Sequence, residues 1–110
     1  MLRPLILLLA LFLSSGCTAL YSTADTWTSP DSEIIYQFNA EYRTGTTGRL
    51  IIIYVNGHKL MAGKAHYWSK RLTMTSELEG KPVAAECGGN DEKRTCTITV
   101  GGDKVALLKF

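Results

Sequence analysis

Three cysteines, two histidines and a scatter of carboxylates are the side chains of this sequence most able to do chemistry. Cys87 and Cys96 bracket the eight residues Gly88 to Thr95. Two thiols at that spacing can close a disulfide or offer half of a metal site. Zinc usually takes four ligands, and no second cysteine pair accompanies them. His58 and His66 stand eight positions apart, which matches no ligand spacing such as HExxH, so each is expected at the surface or in packing. Glu77 and Glu79 would share one face of a strand, and paired carboxylates can hydrolyse glycosides. Beside a turn they are expected to be solvated instead. A hydrolase would need His58 or His66 within hydrogen-bond reach of Glu77, Glu79 or Asp103. Asn90, Asp91 and Glu92 could touch a cation but lack the EF-hand pattern. Gly88-Gly89 and Gly101-Gly102 do not join a strand to a helix, so no phosphate loop is implied. The expectation is a chain that is not an enzyme, with no catalytic, cofactor-binding or metal-binding residues. The sharper functional signal is Tyr67-Trp68 beside Lys70-Arg71, because aromatic residues and arginine are enriched where proteins bind. Packing of Trp68 into a core is the competing reading.

These groups must be positioned by a small chain. A length of 110 residues suggests one domain. The first 16 residues read as something else. Arg3 supplies a positive start, Leu5 to Leu13 is an unbroken apolar run, and Ser14, Ser15 and Gly16 form a small-residue cleavage region. That is the pattern of a secretory signal, and a run this short falls well below the roughly 20 apolar residues of a membrane-spanning helix. The remaining chain carries eleven basic and ten acidic side chains. Such near-neutrality, with both signs interspersed, argues against a nucleic-acid partner held through its phosphates.

Cys17 follows the signal region directly. Leu13-Ser14-Ser15-Gly16-Cys17 resembles the lipobox of bacterial lipoproteins, in which Gly or Ala precedes the acylated cysteine. The resemblance covers the first 17 residues and departs from the pattern at Ser14, where an apolar residue is common. It implies a diacylglyceryl group on the Cys17 thiol, cleavage between Gly16 and Cys17, and acylation of the new amino terminus. Several acyl chains anchor stably where one does not. It also implies that Thr18, in place of the Asp that retains such proteins in the inner membrane, directs the product to an outer membrane facing the periplasm, where the cell has two membranes. In an exported chain the expected fate of Cys87 and Cys96 is a disulfide.

The rest is patterned as strands. Residues 17–32, rich in Ser and Thr, read as a lipidated tether, within which Tyr21 and Trp27 fit either a membrane interface or the domain surface. Residues 33–110 read as an antiparallel β domain. Ile34 to Arg43 alternates, with Ile34, Tyr36, Phe38, Ala40 and Tyr42 on one face. Leu50 to Val55 is a β-branched run, and Asn56-Gly57 is a strong hairpin signal. Lys59 to Ala65 returns. Alternation favours a strand within Tyr67 to Leu78, a turn at Glu79-Gly80-Lys81, and strands at Val83 to Cys87, Thr95 to Val100 and Lys104 to Phe110. Pro82 suggests that its strand lies at a sheet edge. Ile53 to Leu60 also echoes Ile98 to Val105 at an offset of 45 residues, with Ile, Val, Gly and Lys identical. Either two similar hairpins are related by a pseudo-twofold within one sheet system, or good hairpins have converged on the same residues. Six or seven short strands with Gly turns predict an all-β fold, a small antiparallel sandwich or barrel built from hairpins.

Such a chain is expected to be a membrane-anchored lipoprotein acting as a binding module at the cell envelope. Its partners would be the membrane, through lipid on Cys17, and an envelope protein or cell-wall component. A structural or assembly lipoprotein of an envelope complex is the alternative, and a periplasmic hydrolase a more distant one.

Overall fold

A computed structural model describes residues 18–45, 48–65, 70–90 and 93–110. Among them are nine strands: β1 (Thr18–Tyr21), β2 (Asp25–Thr28), β3 (Ile35–Gly45), β4 (Gly48–Val55), β5 (His58–Ala65), β6 (Leu72–Leu78), β7 (Lys81–Gly89), β8 (Arg94–Val100) and β9 (Asp103–Lys109). The fold is all-β, as expected, and its two antiparallel sheets pack together without closing into a barrel. The first sheet runs β1-β3-β4-β5, with β2 also paired to β3; the second runs β6-β7-β8-β9.

Alternation builds the core. Tyr36, Phe38, Ala40 and Tyr42 of β3, Ile51 and Ile53 of β4, and Met61 of β5 turn inward from the first sheet. Met74, Val83, Ala85, Cys87, Cys96, Ile98, Val100, Ala106 and Leu108 meet them from the second. Phe38, Ile53, Ile98 and Leu108 are completely enclosed. Each such side chain contributes about 1.5–3 kcal/mol by leaving water. Tight turns join the strands. Asn56-Gly57, Glu79-Gly80 and Gly101-Gly102 all take positive φ at both central residues, as two-residue hairpins between right-twisted strands require.

Three expectations are corrected. The segment 17–32 is not simply a tether. Thr18 to Tyr21 pairs with Thr44 to Glu41, and Asp25 to Thr28 pairs with Phe38 to Ile35, so both strands line the same edge of β3. Short mixed strands of this kind are held by backbone ladders, which composition does not reveal. Trp27 packs on the core and stacks on its cross-strand neighbour Tyr36 at 5.9 Å, whereas Tyr21 is exposed. Pro82 lies in β7, an interior strand. Pairing of β7 with β8 begins only at Val83–Val100, so the missing Pro82 N–H costs no ladder bond. The echoing hairpins, finally, belong to the two opposed sheets rather than to one.

Their likeness goes further than the hairpins. Phe38–Val55, Ala40–Ile53, Tyr42–Ile51 and Thr44–Arg49 pair across β3 and β4. Val83–Val100, Ala85–Ile98, Cys87–Cys96 and Gly89–Arg94 pair across β7 and β8, each exactly 45 residues on. The third strands follow suit, with Ile53–Met61 matching Ile98–Ala106 and a register shift after Ile53 matching one after Ile98. The meander β3-β4-β5 is thus repeated as β7-β8-β9 without insertion or deletion.

Candidate functional site

The outward face of the first sheet carries an organised polar group. Alternation that sends Ala40 and Tyr42 inward sends Glu41 and Arg43 outward, and the register sets Ile52 opposite Glu41. Glu41 is nonetheless buried, at 3% exposure. Its carboxylate accepts hydrogen bonds from Arg43 Nε at 2.6 Å and Nη2 at 3.3 Å, and from the Tyr54 hydroxyl at 2.7 Å. Arg43 and the Tyr54 hydroxyl hold this carboxyl below its usual range against the opposing effect of burial. Glu41 in turn pushes the Tyr54 hydroxyl and the Arg43 guanidinium up. Tyr21, paired with Glu41 through β1, completes the group and is 62% exposed. A carboxylate so saturated is a poor general base. What it does is fix a guanidinium and a phenol beside a second, exposed phenol. That array can stack, donate hydrogen bonds and pair with an anion, which suits recognition.

A second polar cluster ties the two sheets at one end. Glu79 adopts φ 53°, in the left-handed region, so it does not continue the strand face of Glu77, and it is held by partners where the sequence predicts a solvated side chain. Its carboxylate accepts from the Ser29 hydroxyl at 3.2 Å and the Ser32 hydroxyl at 3.0 Å. The Tyr36 hydroxyl is the main cause that lowers its pKa. Lys81 pairs with Asp31 alongside. These contacts latch the connection between β2 and β3 onto the turn between β6 and β7.

The other anticipated residues fall as follows. Cys87 and Cys96 form a disulfide between directly opposed residues of β7 and β8, deep in the core. Lys70 and Arg71 are exposed ahead of β6, and Arg71 lies 4.0 Å from Glu86. Tyr67 and Trp68 lie outside the described residues, as do Cys17, His66, Asp91 and Glu92. His58 opens β5 and Asp103 opens β9, at matching places in the two meanders. Among the described residues no hydrogen bond or ion pair joins His58 to Glu77, Glu79 or Asp103, and no group of three His, Cys, Asp or Glu side chains could hold a metal ion. Glu41 was missed because a glutamate on the polar face of a strand reads as solvated. The signal was present: Glu41 and Arg43 share a face two residues apart, with Tyr54 on the next strand.

No protein-family model, curated protein or solved structure matches this chain.

Proposed function

We propose that this chain is a lipid-anchored module that binds a partner at the cell envelope, with Cys17 acylated and the β domain facing the periplasm. The observation that carries the binding reading is the array of Tyr21, Arg43 and Tyr54 fixed around buried Glu41. Such an array is costly to build: a charge is taken out of water and matched by three donors. It leaves aromatic rings and a guanidinium facing outward, the composition of binding hot spots. Export is supported by the Cys87–Cys96 bridge, which belongs to an oxidising compartment. Lys70 and Arg71 are exposed and available to the same or a neighbouring contact.

The test uses the full chain made with its own leader, beside Cys17→Ala and Tyr21→Ala versions. Intact mass of the first should show the acyl chains, and Cys17→Ala should lose them and leave the membrane fraction. A partner captured from solubilised envelopes should be retained by the parent and lost by Tyr21→Ala, which removes an exposed ring without disturbing the core. A partner held equally by both would reject this face as the binding surface, and an unmodified Cys17 would reject the anchor.

A further inference from the structure

We propose that one end of the sandwich is a docking surface for anionic phospholipid headgroups, which orients the domain on its membrane; this rests on the anchoring of Cys17 proposed above. In the first sheet β1 and β4 begin at this end and β3 and β5 finish there; in the second, β6 and β8 begin and β7 and β9 finish on the same side but set back from it, with Leu72 beside Gly63 and Lys109 beside Thr23. Thr18, Thr44, Arg49 and Ala65 form one row across the first sheet. Cys17 precedes Thr18 by a single peptide unit, about 3.8 Å between Cα atoms. The lipid would therefore emerge from a strand already paired into the sheet, with no slack to hold the domain off the bilayer.

The charges are sorted along the same axis. The half that includes this end carries Arg43, Arg49 and Lys64 in the first sheet. Lys70, Arg71, Lys93, Arg94 and Lys109 belong to the second. Against these eight stand, among the described residues, Glu41 and Glu86, each paired with an arginine; Asp91 and Glu92 lie outside the described residues. The opposite half has only Lys59, Lys81 and Lys104, against the six acids Asp25, Asp31, Glu33, Glu77, Glu79 and Asp103. Among the described residues the charge thus divides into +6 at the anchored end and −3 at the far end. Arg49 shares the row of Thr18, and Arg43 and Lys64 lie one row below, about 3.4 Å further along the strands. Measured from the plane of the Thr18 row, where the headgroups would lie, Arg43, Arg49 and Lys64 start no more than one row away, within the roughly 8–10 Å over which charge is felt in physiological salt. An anionic headgroup layer complements this end and repels the other, so lipid and charge act as two signals on one surface.

The full acylated chain, reconstituted in phosphatidylglycerol or phosphatidylcholine vesicles, tests this by lysine labelling with a water-soluble amine reagent. On anionic vesicles Lys64, Lys70 and Lys93 should label at least about threefold more slowly than on phosphatidylcholine, and raised salt should erase the difference. Lys59, Lys81 and Lys104 should label alike on both. A Lys64→Glu, Lys93→Glu version should lose the protection at Lys70 while still floating with the vesicles. Equal labelling of the two ends on anionic vesicles overturns the docking surface. Equal protection on both lipids overturns its electrostatic basis. A chain that fails to float with either vesicle reports instead that the anchoring itself is wrong.

Discussion

Removing the Cys87–Cys96 bridge should cost this domain a large share of its stability. The two residues oppose each other across β7 and β8 and are nine positions apart in sequence. In the chain-entropy description, opening a loop of that size frees the unfolded chain by about 2–3 kcal/mol. A domain of this length is stable by only about 5–10 kcal/mol. Each kcal/mol moves the midpoint by about 4–8 °C at this size, so a fall of roughly 10–20 °C is expected. Thermal unfolding followed by circular dichroism measures it, on the parent and on a chain with both cysteines changed to alanine. Reduction separates the cross-link from the packing of the two sulfurs, because it opens the bridge and keeps the atoms. Both sulfurs are enclosed, so the parent must be reduced in denaturant and then refolded. Refolded under reducing conditions, it should approach the alanine pair to within about 1–2 kcal/mol, the worth of the lost sulfur packing. The reasoning fails if the oxidised parent, the reduced parent and the alanine pair melt together.

Two further outcomes follow from particular residues. Gly89 has φ 134°, and a Cβ there would stand 1.7 Å from the carbonyl oxygen of Lys93. Gly89→Ala must therefore open the turn between β7 and β8, and urea titration should show a loss of more than about 2 kcal/mol; a shift within about 0.5 kcal/mol would contradict the close approach. Glu41 is the second case. Its carboxyl is held below the ordinary 4.5, so the folded chain takes up this proton less readily than the unfolded one. That stability is complete above the ordinary value and is lost as pH falls through the lowered one. Denaturant titrations from neutral to acid pH should show the parent losing more stability than Glu41→Gln does, and parallel losses would remove Arg43 and Tyr54 as the cause.

Much of the fold was legible because period-2 patterning and turn chemistry agree. Ile34 to Arg43 alternates cleanly and became β3 nearly intact, while Asn56-Gly57 and Gly101-Gly102 became the turns their backbone freedom predicts. The cysteines were legible as a bridge because an exported chain with two such thiols and no second pair is expected to oxidise them. β1 and β2 were not, since Thr-Ala-Leu-Tyr and Asp-Thr-Trp-Thr are too short and too mixed to show a period. They are held to β3 by pairing that only the tertiary structure supplies, helped by Asp25 accepting the Leu107 amide and Thr23 that of Lys109. Glu79 misled for a local reason. A glutamate seldom adopts positive φ, yet here the hairpin demands it and the hydroxyls of Ser29 and Ser32 receive the displaced carboxylate. The repeat was visible over eight residues of sequence, but its full extent is carried by register, which tolerates replacement of Tyr42–Ile51 by Cys87–Cys96.

The antiparallel seating of β1 on β3 also has a mechanical side. β1 runs from Thr18 into the body of the domain, and its four pairs with β3 line up along that direction. A pull applied at Thr18 along the strand loads all four pairs at once, in shear, rather than peeling them open one after another. Behind them β2 repeats the arrangement on the same edge, so the slack released by the first failure is taken up by a second ladder. Tension drawn through the start of the chain therefore meets two clasps in series before it reaches the core.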